Sequence, residues 1–299
     1  MTLPTIAFLG IGLMGRPMAT HLARATFPLR VWNRSADKAE ALRAVGAQPC
    51  AELHSAVAGA DIVISMLQAG PAVGEVIGHA LPSLRQGALW IDMSSTRQDE
   101  ALAFHQRLAE RQVRFIDAPV SGGVGGAEAG KLAIMAGASE PDFQQAEQVL
   151  LAMGNPVRVG PVGSGQVSKL CNQLIVGATI NVVAEALLLA EAAGADPAAV
   201  RAAIGGGFAG SKILEVHGAR MLARDFMPGA QVAIQLKDLH NILAAAKDAQ
   251  LTLPFAELAE QRYASLARDL GMADHSAALI ALERDNPGAR LGELPDSLP

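Results

Sequence analysis

Through its first half the chain alternates short apolar runs with segments whose apolar residues recur every three or four positions. The first apolar run opens the stretch TIAFLGIGLMGRPMAT at 5–20, and others follow at 29–32, 61–67, 88–93, 113–118, 131–137 and 157–159. Runs this short, apolar on both faces and bounded by polar or glycine-rich turns read as strands of a parallel sheet covered on both sides. Helical periodicity fills the intervals at 13–25, 36–45, 52–58, 98–111 and 142–151. Regular βα alternation predicts an α/β Rossmann-type doubly wound sheet, in which ligands sit outside the carboxyl ends of the strands.

The alternation stops near residue 160. From there the pattern predicts helices only: a long one over 165–193, then 197–204, 211–222, 231–249, 254–270 and 275–283, with breaks such as Gly205-Gly206-Gly207. The expected organisation is a Rossmann domain over 1–163 and an all-α C-terminal domain over 164–299, joined by the long interdomain helix. That helix would run about 40 Å at 1.5 Å per residue and is apolar almost all round, so it should be buried between units. An Ala/Leu-rich helical half that one Rossmann domain cannot cover predicts a homodimer or homotetramer. The Pro- and Gly-containing tail over 286–299 reads as poorly ordered.

Composition narrows the classes. The 299 residues carry a net charge of -5 with no basic block, which leaves no electrostatic footprint for nucleic acid or a membrane surface. No run of about 20 residues reads as wholly apolar and uncharged, so a spanning helix is not expected. The first strand begins immediately after Met1-Thr2-Leu3-Pro4, leaving no room for a signal peptide, and a cytoplasmic location is expected. The two cysteines, Cys50 and Cys171, have neither Cys-x-x-Cys nor His spacing and read as buried thiols rather than a disulfide or zinc site.

Candidate chemistry collects at strand ends. Gly10, Gly12 and Gly15 form G-x-G-x-x-G between the first strand and its helix, with Leu13 and Met14 inside the turn. Gly10 suits the tight turn, Gly12 the approach of a pyrophosphate, and Gly15 the packing of helix on strand. The second strand ends in Asn33-Arg34-Ser35 rather than an acid. A carboxylate there would hold a ribose 2′-hydroxyl, whereas a neutral Asn33 beside cationic Arg34 favours a 2′-phosphate, hence NADP(H) over NAD(H). Arg34 also reads as a solvated loop charge and Ser35 as the N-cap of the next helix. After another strand end, Ser121-Gly122-Gly123 offers a hydroxyl and unshielded N–H groups suited to a substrate carboxylate, or an ordinary loop. On the long helix Lys169, Asn172 and Gln173 stand at i, i+3 and i+4 and share one face, polar only near the helix start. A lysine on so apolar a helix is costly unless paired or used, although it could also snorkel to the surface.

Five segments, FLGIGLMGRPMA, DMSST, DAPVSGG, GQVSKLCNQ and QLKDL, resemble in order the signature segments of the β-hydroxyacid dehydrogenases, the family of 3-hydroxyisobutyrate dehydrogenase and tartronate semialdehyde reductase (2-hydroxy-3-oxopropionate reductase). The resemblance spans nearly the whole chain. It implies hydride transfer between a nicotinamide and a short 3-hydroxy acid or its semialdehyde. In those terms Lys169 is the catalytic residue with Asn172 and Gln173 beside it. Ser121, Gly122 and Gly123 bind the substrate carboxylate, while Thr96, Met66 and Leu67 touch the cofactor and Lys237 approaches it from the helical half. Two positions qualify the match. Gln68 stands where many members have Pro, and the Asn172-Gln173 pair is similar to the tartronate semialdehyde reductases. The competing classes are a non-catalytic nucleotide-binding protein on the same fold, which has no use for Lys169, and an imine reductase, which would lack it. A decarboxylating phosphogluconate dehydrogenase would need a longer chain and a His where Cys171 precedes Asn172.

Overall fold

The computed structural model describes residues 3–299. The chain forms two compact units, Met1–Lys169 and Leu170–Pro299.

The first unit is built on a nine-stranded sheet. Its strands are β1 (Ile6–Leu9), β2 (Leu29–Trp32), β3 (Gln48–Pro49), β4 (Ile62–Ser65), β5 (Leu89–Asp92), β6 (Arg114–Asp117), β7 (Val120–Ser121), β8 (Leu132–Gly137) and β9 (Gly154–Gly160). They run in the order β3-β2-β1-β4-β5-β6-β8-β7, with β9 on β8. The helices of this unit are α1 (Gly15–Arg24), α2 (Ala36–Glu40), α3 (Leu53–Val57), α4 (Gly70–Ala80), α5 (Gln98–Ala109), α6 (Gly123–Glu128) and α7 (Glu140–Leu151). Period-two alternation divides the strand residues between two cores. Ile6, Phe8, Ile62, Ile64, Leu89 and Ile91 pack on one face of the sheet with Met18 and Leu22 of α1. Ala7, Leu9, Val63, Trp90 and Phe115 pack on the other with Val73 and Ile77 of α4. Both faces are therefore covered, which is why these strands read as continuous apolar runs. The order reverses between β1 and β4, and a doubly wound sheet binds its ligand in the crevice outside that point.

Several expectations are corrected here. The sheet is not uniformly parallel: β8 runs antiparallel to both β6 and β7. Pro119 lies between β6 and β7, and β7 is only two residues long, too short for an alternation to be read. The helix expected over 36–45 is α-helical only to Glu40 and continues as a 3₁₀ segment, Ala41–Val45. Helix α4 was not anticipated, although Val73, Ile77 and Ala80 bury one face at helical spacing. Neither was α6, whose sequence GVGGAE carries three glycines and has little intrinsic helix propensity.

Helix α8 (Ser164–Ala192) begins in the first unit and runs through the second, followed by α9 (Pro197–Gly205), α10 (Lys212–Ala223), α11 (Val232–Asp248), α12 (Pro254–Leu270) and α13 (Ala278–Asp285). The core of the second unit joins Ile180, Val183, Ala184, Leu187 and Leu188 of α8 to Leu214, Met221, Phe226, Tyr263 and Leu266. By length and composition alone α8 is long and apolar enough to cross a membrane, but its uncharged run stops at Lys169 and Glu185 and here it forms part of this core. Nor is it buried all round. Ile175, Val182 and Leu189 are 62%, 58% and 70% exposed, and Cys171 on the same stripe is exposed as well. Cys50 is only half-buried, so neither thiol is the buried one expected. The spacing 171, 175, 182, 189 lets one face of a helix stay outside while Ile180, Val183 and Leu187 turn inward.

The tail is also corrected. Arg224 is fully buried, and its guanidinium donates to both carboxylate oxygens of Glu283 at 2.7 and 2.8 Å, to Asp296 Oδ1 at 2.5 Å and to the Leu291 carbonyl at 3.0 Å. Phe226 N donates to Ser297 O at 2.9 Å, and Leu291 is buried. One internal cation thus ties down a segment whose composition alone suggests disorder.

Candidate active site

The glycine turn leaves β1 with a conformation only glycine tolerates well. Gly10 has φ +102°, and a Cβ there would lie 2.3 Å from the Met66 carbonyl oxygen. Gly15 opens α1, where a Cβ would lie 1.9 Å from Gly10 O and 3.1 Å from the Phe8 ring, so this glycine sets the helix-to-strand distance. Around Gly12 there is open space within 4 Å, the room a phosphate needs to approach backbone N–H groups. The N-cap position of α1, Met14, makes no side-chain cap bond, and no acid lies in its first turn. Leu13 is exposed beside it. These residues fit a dinucleotide: an uncapped helix N-terminus favours an anion through its unpaired N–H groups and its dipole.

Asn33 serves this turn directly. Its Oδ1 accepts from Ile11 N at 2.9 Å and its Nδ2 donates to Ser35 O at 3.0 Å, so the side chain braces the glycine loop against the end of β2. Arg34 and Ser35 are exposed. Ser35 occupies the N-cap position of α2 but makes no side-chain cap bond.

The ends of β4, β5 and β6 are cross-linked by polar groups. Met66 N donates to Leu9 O at 2.9 Å and Leu67 N to Ser94 Oγ at 2.9 Å, which seats this pair beside the glycine turn. Gln68 is exposed, in the bend leading to α4. Ser94 Oγ and Ser65 Oγ both donate to Asp92 Oδ1, at 2.7 and 2.8 Å. Burial pushes the Asp92 carboxyl up to about 6, against the pull of those donors. Asp117, at the end of β6, accepts from Gly163 N at 2.7 Å and Gln166 N at 2.8 Å, and burial raises it to about 7. Thr96 is buried and its N–H donates to Gln166 Oε1 at 3.0 Å.

Ser121 ends β7, paired with Ala133 of β8, and the chain turns through Gly122 at φ +134° and Gly123 at φ +61° into α6. Nothing lies within 4 Å of where a Cβ on Gly123 would be, so its backbone is open. Helix α6 is held against α1, with His21 Nε2 3.0 Å from Glu128 O. The serine loop and the glycine turn therefore belong to neighbouring elements of one unit.

Lys169 lies in the second turn of α8, in the first unit, and is partly buried. In the second unit Asn172 Nδ2 donates to Gln173 Oε1 at 2.8 Å, and Gln173 Nε2 donates to Asp238 Oδ2 at 2.7 Å. Asp238 Oδ1 in turn faces Lys237 Nζ at 3.1 Å. The two amides and Lys237, distant in sequence, are thus linked through one nearly buried carboxylate on α11. Sequence reasoning passed over Asp238, and also Gln166, Ser94, Asp92 and Asp117. The available signals were that Asp92 and Asp117 end apolar strands and that all five residues lie within the segments DMSST, DAPVSGG, GQVSKLCNQ and QLKDL.

Two family models match the chain: the NAD binding domain of 6-phosphogluconate dehydrogenase over residues 5–163, and the NAD-binding domain of NADP-dependent 3-hydroxyisobutyrate dehydrogenase over 163–282. The chain is 40% identical to the 2-hydroxy-3-oxopropionate reductase of Escherichia coli K12 over 93% of its own length and 97% of that protein's. It is 36% identical to a probable mitochondrial 3-hydroxyisobutyrate dehydrogenase-like protein of Arabidopsis thaliana, over 94% and 86% of the two. Among solved structures, 3-hydroxyisobutyrate dehydrogenase of Mycobacterium tuberculosis with L-serine superposes with a TM-score of 0.87 at 31% identity, covering 94% of this chain and 99% of that one. An open glycine turn at the sheet's switch point, a lysine and amides on one helix, and similarity along nearly the whole length agree, and the chain belongs to the β-hydroxyacid dehydrogenase family of NAD(P)-binding oxidoreductases.

Proposed function

We propose that this protein reduces a short semialdehyde to its 3-hydroxy acid, and runs the reverse oxidation, with NADP(H) as the preferred cofactor and tartronate semialdehyde as the substrate. The observation that carries the reading is the Lys169, Asn172, Gln173 face of α8, with its amides linked to Asp238, in a chain 40% identical to a 2-hydroxy-3-oxopropionate reductase. Residues 1–163 form the dinucleotide-binding domain and 164–299 the substrate and oligomerisation domain of a cytoplasmic homodimer or homotetramer.

Gly10, Gly12, Leu13, Met14 and Gly15 hold the pyrophosphate, Arg34 and Ser35 the 2′-phosphate beside Asn33, and Met66, Leu67, Thr96 and Lys237 border the nicotinamide. A bound nicotinamide supplies the hydride. Ser121, Gly122 and Gly123 bind the substrate carboxylate through the serine hydroxyl and open backbone N–H groups. As the carbonyl carbon is reduced, its oxygen gains negative charge, and the Lys169 ammonium donates a proton to it. The lysine then recovers that proton from solvent. Asn172 or Gln173 holds the substrate hydroxyl in register, and Asp238 fixes which way the Gln173 amide faces. The absence of a carboxylate on Asn33 and the exposure of Arg34 support NADP(H).

The test is turnover of tartronate, methylmalonate and succinate semialdehydes by the parent protein and Lys169→Ala. The parent should reduce the first fastest. Lys169→Ala should bind NADPH normally and lose about 10²- to 10⁴-fold in kcat. No turnover of any of the three, or a Lys169→Ala rate within about tenfold of the parent, too small a loss for a general acid, would overturn the assignment.

A further inference from the structure

Gln166 lies three residues before Lys169 and is 1% exposed. Both ends of its amide are used. Its Oε1 accepts from Thr96 N at 3.0 Å, and its Nε2 donates to Ser94 O at 2.9 Å. The backbone N–H of the same residue donates to Asp117 Oδ2 at 2.8 Å, while Asp117 Oδ1 takes Gly163 N at 2.7 Å. One residue thus joins the first turn of α8 to the ends of two strands, β5 and β6. We propose that Gln166 is a positioning residue for catalysis, fixing the start of α8 and with it Lys169 against the loop that seats the cofactor.

The contacts around it are backbone-close. At Gly165 a Cβ would lie 2.3 Å from Asp117 O and 2.5 Å from Met135 O, and at Gly137 it would lie 2.7 Å from Gly165 N. The helix start therefore rests directly on strand backbone, and side chains cannot act as a cushion there. What sets its angle is the pattern of polar bonds. Asp117 caps the first turn from one side and Gln166 clips it to residues 94–96 from the other. The amide is the matching group, because the loop presents one donor and one acceptor, which an amide satisfies together. A carboxylate would meet Thr96 N but oppose the Ser94 carbonyl, and an apolar side chain would leave both buried and unpaired.

The loop that Gln166 grips is also the one that seats the cofactor turn. Ser94 Oγ accepts from Leu67 N at 2.9 Å and donates to Asp92 at 2.7 Å. Lys169 is three residues on, about 4.5 Å further along the axis and about 60° around it. Releasing Gln166 frees that turn to shift relative to Met66, Leu67 and Thr96. A displacement on the order of 1 Å costs a reaction up to about 10²-fold.

The inference rests on Lys169 as the proton donor, and the experiment separates the two. Gln166→Met keeps length and removes both bonds. Gln166→Glu keeps the acceptor for Thr96 and remains the working variant if the methionine protein does not fold. Each is made alone and with Lys169→Ala, and kcat, KM, the melting temperature and the kcat isotope effect with 4-deuterated NADPH are measured. Gln166→Met should lower kcat by about 10- to 10²-fold with KM within about threefold, a small change beside that loss in kcat. The isotope effect should rise as the chemical step becomes limiting. Gln166→Glu should lower kcat at least as far as Gln166→Met, because its buried carboxylate opposes the Ser94 carbonyl. In the Lys169→Ala background the same substitutions should cost nothing further, because there is no lysine left to misplace. Multiplicative losses in the double variants, or an unchanged kcat in both single variants, would overturn the positioning role while leaving Lys169 in place. A Lys169→Ala protein as fast as the parent would instead remove the catalytic reading itself.

Discussion

Replacing Arg224 by Met should destabilise the helical unit and release the C-terminal tail together. The guanidinium is fully buried, and four hydrogen bonds run from it to Glu283, Asp296 and the Leu291 carbonyl, with the Phe226 ring 5.7 Å from Cζ. Removing one member of a buried ion pair costs about 3–5 kcal/mol, because the partner's charge stays behind uncompensated. The lower end applies here. Glu283 and Asp296 side chains keep 11% and 25% exposure, Asp296 retains Arg290 at 3.3 Å, and Glu283 retains the Leu291 N–H at 2.8 Å. A loss of about 3 kcal/mol corresponds to a fall in Tm on the order of 10 °C for a unit of this size. Arg224→Lys should lie between, since an ammonium keeps the charge but not the fork that engages two carboxylates at once. Thermal unfolding and limited trypsin digestion read the two consequences. The bond after Arg290 is protected while Leu291 is buried and its N–H is held by Glu283, and in the methionine variant it should be cut ahead of the rest of the chain. An Arg224→Met protein that melts within about 2 °C of the parent and keeps its tail intact would refute this account of how the tail is held.

Stability should fall on acidification through His275, which is buried with both ring nitrogens unpartnered and pushed down to about 4, first by burial and then by neighbouring His217. The neutral form is the folded one, so the contribution is complete above the unfolded value near 6.5 and is lost as pH drops toward 4, on the order of 3 kcal/mol. His275→Phe should flatten unfolding midpoints across that window, and an unchanged slope would exclude His275 as the source. Arg34→Asp should shift kcat/KM toward NADH; a variant, or a parent, that favours NADH and NADPH as before or in the reverse order contradicts the 2′-phosphate role. Light scattering should give a mass of at least two chains at micromolar concentration, and Val182→Asp, on the exposed apolar stripe of α8, should reduce it; a monomeric parent would remove the oligomer from the proposal.

What could be read along the chain was whatever depends on neighbours in sequence. Doubly covered strands carry continuous apolar runs, so β1, β4 and β5 were legible, and the shorter apolar stretches in β2 and β6 marked those strands. The glycine turn was legible because a tight turn, an open backbone and a close helix each demand a missing side chain at fixed spacing, as at Gly10, Gly12 and Gly15. The polar face at Lys169, Asn172 and Gln173 was legible because an α-helix puts i, i+3 and i+4 together wherever it folds. Tertiary structure decided the rest. The antiparallel pairing of β8 with β6 and β7 depends on which strand edge the chain returns to, a choice that the two residues of β7 cannot encode by periodicity. The tail is ordered because Arg224, some 70 residues earlier in the chain, needs carboxylates once it is buried, and burial is a property of the packed unit. For the same reason Asp238 joins Gln173 and Gln166 joins residues 94–96: a polar group taken out of water must find partners in space, and those partners lie 65 and 70 residues away in sequence.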